Sequence, residues 1–267
     1  MTHCERDDVV AANIEVHRLE APYYDALHYE ENNFYERSRR RRAIEEAKRI
    51  LEGRRHGLKA LDVGCGTGKM SLMLAEAAFE VFSMDLSFEM LAVFREKLRQ
   101  RKVDPEPRLI CADMFTFLAD CRERFDLIVF CGILHHVVDV PEAIRLASAR
   151  LNDGGVIMIT HEPLKQTISS KTRYMFHRAL AAPDEALYRF CIRRLPDEAK
   201  SIDYSMSDFQ RQFGGIDAKM VVSELKDNGL SVISERKYCA RRFGLSCMIA
   251  NTLIRSQNTF QIIARLG

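Results

Sequence analysis

The chain has 267 residues, 47% of them apolar, and a formal net charge of +2; that suits one α/β domain with additions and argues against a surface built to grip polyanions. The opening stretch MTHCERDDVVAANIE is too polar for a secretory signal, and no apolar run approaches the roughly 18 residues of a membrane span. Eight cysteines without C-x-x-C spacing read as reduced thiols, so the expected compartment is the cytoplasm.

Residues 1–57 read as an N-terminal helical cap. From Arg37 the apolar stripe Ala43, Ile44, Ala47, Ile50 and Leu51 predicts a helix that stops near Gly53. Before it lies an aromatic patch of Tyr23, Tyr24, Tyr29, Phe34 and Tyr35, and within it the dense basic run Arg39–Arg42. That run is either a solvated helix face, paired with Glu45 and Glu46 one turn on, or a contact for nucleic acid or an anionic membrane surface.

Strand and helix then alternate. Strands are predicted over Leu58–Val63, Glu80–Met84, Arg108–Ala112, Phe125–Gly132 and Val156–Thr160, with helices after the first, second and fourth and a short helical piece after the third. FDLIVFCG is almost continuously apolar, as a strand covered on both faces should be. Asp139 precedes Pro141 as a cap for the fourth helix, and Asn152-Asp153-Gly154-Gly155 predicts a turn. This spacing implies a parallel, doubly wound sheet with its ligand at the carboxyl ends of the strands. Residues 164–216 interrupt the alternation with charge and aromatics and read as a lid insertion. A helix over Ala218–Asn228, a strand over Leu230–Tyr238 and a closing strand over Phe260–Arg265 follow. The apolar piece LSCMIANTLI between them is expected to wall an acceptor pocket.

The stretch LKALDVGCGTGK, Leu58–Lys69, runs from a strand through a glycine turn into a helix. Bare backbone there lets a ligand approach closely. The G-x-G-x-G spacing, with Lys69 next, departs from the G-x-G-x-x-G of dinucleotide enzymes and disfavours a nicotinamide cofactor. An acidic residue followed by G-x-G-x-G resembles the first motif of class I S-adenosylmethionine-dependent methyltransferases. The resemblance covers residues 58–163 and, more loosely, the chain to its end. It implies a Rossmann-like seven-stranded sheet whose last strand is antiparallel, a methyltransferase domain over 58–267, and S-adenosylmethionine as methyl donor. It also implies donor contacts from Asp62, Gly64, Cys65, Gly66 and Gly68, with Asp62 towards the ammonium. Asp85, beside Leu86, would take the ribose hydroxyls, Asp113 and Met114 the adenine, and the Cys131 carbonyl the ammonium again.

Methyl transfer from a sulfonium needs alignment, exclusion of water and sometimes removal of a proton. The candidate bases are His135, His136 and Glu162. ILHHV resembles a segment of many small-molecule methyltransferases. The proline-rich tetrad and the Pro-Cys pair of nucleic-acid methyltransferases are missing, and no metal-ligand spacing is evident. The expected partner is a small-molecule acceptor, apolar or aromatic, with nucleic acid disfavoured and peripheral membrane contact left open. An RNA or protein methyltransferase using Arg39–Arg42, or a non-catalytic S-adenosylmethionine-binding regulator, are the alternatives.

Overall fold

The computed structural model describes residues 3–53, 57–165 and 171–267. The chain opens with α1 (His3–Glu20), two single-turn helices, α2 (Tyr24–Leu27) and α3 (Tyr29–Asn32), and α4 (Phe34–Ile50). Asn33 caps α4 by accepting from the Glu36 amide. The core runs β1 (Lys59–Val63), α5 (Lys69–Glu76), β2 (Glu80–Asp85), α6 (Phe88–Arg101), β3 (Arg108–Cys111), α7 (Met114–Asp120), β4 (Phe125–Cys131), α8 (Val140–Ser148) and β5 (Leu151–Pro163). Then come α9 (Lys171–Ile192), the short α10 (Asp197–Lys200) and α11 (Phe209–Gln212), α12 (Ala218–Asp227), β6 (Leu230–Tyr238), α13 (Gly244–Ile249), a π turn over Ala250–Ile254, and β7 (Thr259–Leu266).

The seven strands lie in the order β3-β2-β1-β4-β5-β7-β6. β1 to β5 are parallel, and β7 is antiparallel to both β5 and β6. Period-2 alternation builds two apolar layers from one strand: Leu127 and Val129 pack with Ala43, Ile44 and Leu74 on one face, while Ile128 and Phe130 pack with Ile144, Leu225 and Ile262 on the other. Each of the Val, Leu, Ile and Phe side chains among them contributes about 1.5–3 kcal/mol on burial. Strand order reverses between β1 and β4, so the crevice at their carboxyl ends is where this architecture places a ligand.

Two expectations are corrected. The turn expected at Asn152–Gly155 lies inside β5: Gly154 has φ 66° and the β4–β5 pairing slips between Phe125 and Leu127, so the polar residues form an irregularity in a longer strand. The apolar piece after Phe243 turns its small residues Gly244, Cys247 and Ala250 inward, the first against Phe34 of α4. Its Leu245 and Leu253 are 60% and 78% exposed, so it walls no pocket described below. Among the described residues, no helix is long and apolar enough to cross a membrane.

Candidate active site

The turn after β1 carries Gly64, Gly66 and Gly68, all with left-handed φ (69°, 52° and 86°). A Cβ on Gly64 would lie 2.4 Å from the Ile133 side chain, and one on Gly68 would lie 2.1 Å from the Phe94 ring. A Cβ on Gly66 would meet nothing within 4 Å. Two of the glycines thus serve packing, and the middle one faces a cavity. The Gly66 amide donates to Asp85 Oδ2 at 2.7 Å and the Ser87 amide to Asp85 Oδ1 at 2.8 Å, which fixes the β2 carboxylate beside the loop.

Asp62, at the end of β1, is buried. The Ser71 hydroxyl donates to its Oδ2 at 2.6 Å, and Oδ1 has no hydrogen-bond partner among the described residues. Burial pushes this carboxyl up to about 7, against the downward pull of the Ser71 bond. Arg40 reaches the same cavity from α4. It is 2% exposed, and its Nε and Nη2 have no partner among the described residues. Its Nη1 donates to Glu31 O at 3.5 Å and lies 3.9 Å from Glu31 Oε2, so two guanidinium nitrogens and one carboxylate oxygen remain unpaired on residues that line one cavity.

Asp62, Gly64, Cys65, Gly66, Asp85, Leu86, Asp113, Met114 and Cys131, all singled out by sequence, line this cavity. Gly68 does not; it sits behind the loop against Phe94. Asp113 also caps α7, its Oδ1 accepting from the Thr116 amide at 3.0 Å, and Arg6 of α1 lies 3.5 Å from that oxygen. The roof comes from the N-terminal helices: Arg6, Val9, Asn13 and His17 of α1 line the cavity. Asp25 clasps the roof to the loop. Thr67 Oγ1 donates to Asp25 Oδ1 at 3.0 Å, and Lys97 Nζ lies 2.6 Å from Oδ2.

A second cavity adjoins the first, and His17, Tyr24, Glu31, Gly132 and His136 line both. The rest of its wall is polar, including Glu20, His28, Tyr204, Asp208, Arg211 and Arg242. Burial alone would lower His28, but the Glu20 and Glu30 carboxylates on its two ring nitrogens outweigh this and lift it to about 10.

The three candidate bases occupy different positions. Glu162 is buried, and its oxygens accept from the amides of Ile133, Leu134 and His135 and face His135 Nδ1 at 3.0 Å. It anchors the turn after β4 and lines neither cavity. Burial pushes it up to about 7, against the Leu134 and Ile133 amides. His135 faces the second cavity, and burial, with Arg211 nearby, holds its imidazole well below the usual range. His136 stands at the junction with Nδ1 donating to Ser207 O at 2.9 Å; burial, then His135 and His17, hold it low as well.

Three contributors escaped the sequence reading. His161 has φ 62° where the β5–β7 pairing shifts register. That bulge sends its ring into the second cavity, 3.4 Å from buried Glu36, while Glu162 turns inward. Asp208 arrives from 72 residues beyond His136, a distance no spacing rule spans. Arg40 was hidden in the basic run, which the structure takes apart. Arg39 stacks 3.3 Å over Tyr238, Arg41 lies 3.8 Å from Glu76, and Arg42 donates to Ser38 O at 3.3 Å. The run does not present four cations on one face.

A parallel sheet with a glycine turn at its switch point, an acidic residue ending β2 and a helical roof defines a nucleoside-binding α/β enzyme domain. The family model for a methyltransferase domain matches residues 35–211, and the chain belongs to that family. The ubiquinone/menaquinone biosynthesis C-methyltransferase of Idiomarina loihiensis is 28% identical over 184 residues, 61% of this chain and 73% of that protein. The N-methyltransferase NodS from Bradyrhizobium japonicum, solved with S-adenosyl-L-homocysteine, is similar with a TM-score of 0.57 at 14% identity, covering 96% of this chain and 98% of that one. The cyclase SpnF is similar with a TM-score of 0.60 at 16% identity, covering 95% and 94%. At such identities the likeness is one of fold, and a cyclase on the same frame means the reaction must be argued from the site.

Proposed function

We propose that the protein transfers a methyl group from S-adenosylmethionine to a small acceptor bearing hydroxyl groups. The observation that carries this reading is that Asp62 Oδ1 and two nitrogens of the Arg40 guanidinium, Nε and Nη2, lack a partner among the described residues while both residues line one cavity. An amino-acid tail offers an ammonium to the first and a carboxylate to the second, and leaving either group buried and unpaired is costly. A nicotinamide dinucleotide carries no such zwitterion. Asp85 would hold the ribose hydroxyls, and Gly66 would let the nucleoside lie against the backbone. Membership of the methyltransferase-domain family supports the same donor.

When bound, the sulfonium supplies an already activated methyl group. The chain's own work is to align the acceptor, keep water out and accept or stabilise a proton. The second cavity is the acceptor site in this reading, because it shares His136 and Gly132 with the donor cavity. Its polar wall favours an acceptor that makes hydrogen bonds, an aromatic ring with hydroxyls included. Residues 3–53 would act as the cap and 171–216 as the lid; residues 166–170 of the expected insertion lie outside the described residues. His135 and His136, neutral through burial, are the proton acceptors nearest in kind to the task; Glu162 positions them.

Calorimetric titration with S-adenosylhomocysteine and with NAD tests the donor. We expect the homocysteine compound to bind, NAD not to, and Asp85→Ala to weaken binding by about tenfold or more. Binding of NAD instead, or of neither, would overturn the reading. A labelled-methyl screen of hydroxylated metabolites then addresses the acceptor; donor binding without transfer to any of them would favour a non-catalytic role.

A further inference from the structure

We propose that His135, His136 and Asp208 form a binding site for one divalent first-row metal ion on the acceptor side of the donor cavity. Their ligand atoms all lie within 4.8 Å of one another. Asp208 Oδ1 is 3.7 Å from His135 Nε2 and 3.6 Å from His136 Nδ1, and ligand atoms around a single ion are spaced in this range. All three residues line the second cavity, so an ion there would face open space rather than be sealed in protein.

The surroundings suit a cation. Glu162 Oε2 sits 3.0 Å from His135 Nδ1; with Glu162 ionised and the imidazole proton on Nδ1, Nε2 presents its lone pair towards Asp208. A carboxylate behind a ligating imidazole is the arrangement that orients a metal-bound histidine and raises its basicity. Glu162 is itself held by three backbone amides, which leaves the imidazole little freedom. Arg211 Nε lies 3.2 Å from Asp208 Oδ2, fixing the carboxylate with Oδ1 towards the imidazoles. Arg211, Arg242 and the charged His28 oppose a cation in this cavity, and Glu20, Glu30 and Glu31, which also line it, balance them. His136 Nδ1 now donates to Ser207 O at 2.9 Å. Ligation uses the other tautomer: the proton moves from Nδ1 to Nε2 through solvent, the ion takes its place on Nδ1, and the Ser207 carbonyl comes within reach as a further oxygen ligand.

Two imidazoles and a carboxylate suit Mn²⁺, Co²⁺ or Zn²⁺ better than they suit Ca²⁺. The ligand set leaves coordination positions for the acceptor. This link rests on the methyl-transfer reading, whereas the metal site itself does not. An acceptor with two adjacent oxygens would chelate the ion, and a ligated hydroxyl gives up its proton to solvent more readily. Its oxygen lone pair then forms the new O–C bond, and the S–C bonding pair returns to sulfur. No imidazole need act as base.

The test uses protein dialysed against EDTA, titrated calorimetrically with Mn²⁺, Co²⁺ and Zn²⁺, and separately with S-adenosylhomocysteine. We expect one ion per chain with micromolar affinity, on the order of −8 kcal/mol. Asp208→Asn should weaken it at least about tenfold, while Asp203→Asn, at an exposed carboxylate outside the cavity, should leave it unchanged. Wild-type protein with Co²⁺ should also show d–d absorption and paramagnetically shifted imidazole protons, a readout that needs no variant to fold. Absence of ion binding, or affinity that survives Asp208→Asn in a folded protein, overturns the metal site. Failure to bind S-adenosylhomocysteine would instead count against the donor assignment.

Discussion

Gly66 and Gly68 share a left-handed backbone but differ in what a side chain would meet, and this separates stability from binding at the scale of one methyl group. Gly68→Ala would press that methyl into the Phe94 ring. It is expected to lower stability by about 2–4 kcal/mol in denaturant unfolding. Gly66→Ala meets open space. It should cost only about 1–2 kcal/mol of backbone strain yet weaken S-adenosylhomocysteine binding by about tenfold or more. Unimpaired binding by Gly66→Ala would remove the loop from the donor site. Asp62 makes a second prediction at this scale. Its carboxyl sits near 7 when folded, against an ordinary 3.8. The folded chain therefore keeps a proton that the unfolded chain loses. The group's contribution to stability is full below about pH 4 and is lost as pH rises through about 7. Pairing with an ammonium reverses the preference, so donor-product binding near pH 6 should release between about 0.5 and 1 proton per site. Calorimetry in buffers of different ionisation enthalpy reads this number, and Asp62→Asn should bring it to zero.

Among the elements, the N-terminal helices and the segment after α9 are joined through one carboxylate. Tyr204 Oη donates to Glu20 Oε2 at 2.7 Å, and His28 Nε2 lies 3.0 Å from the same oxygen. Tyr204→Phe should cost about 1–2 kcal/mol. Amide hydrogen exchange around Tyr204–Asp208 and around His17–His28 should rise together; a rise in one segment alone would show that the two are not coupled. The sheet was readable in the sequence because each buried strand is an apolar run bounded by turn residues. Glycine 154 misled because a left-handed glycine serves a strand irregularity as well as a turn. Arginine content misled for a related reason: composition counts charges, whereas helix geometry decides that Arg40 points inward and Arg41 outward.

At the scale of the whole molecule, one cavity was legible and the other was not. Donor-side residues follow successive parallel strands, so their order along the chain repeats their order in space. The cavity proposed for the acceptor is assembled from α1, α2, α3, the turn after β4, a bulge in β5, α9 and the approach to α11, and no local pattern announces that convergence. With the basic run dispersed, donor binding and turnover should vary less than about twofold between roughly 50 and 200 mM salt. A polyanionic substrate would bring a loss of several orders of magnitude over that range. A steep salt slope in a methylation assay would restore RNA as a substrate.

The Asp25 clasp has a consequence in time. Its bonds to Thr67 and Lys97 tie α2 to the glycine turn and to α6. With the donor placed against that turn, as proposed above, its spent form would leave only after those bonds open. Release of the spent donor is then expected to limit turnover, and a burst in the first round of a rapid-quench assay, lost in Asp25→Ala, is the measurement that checks it.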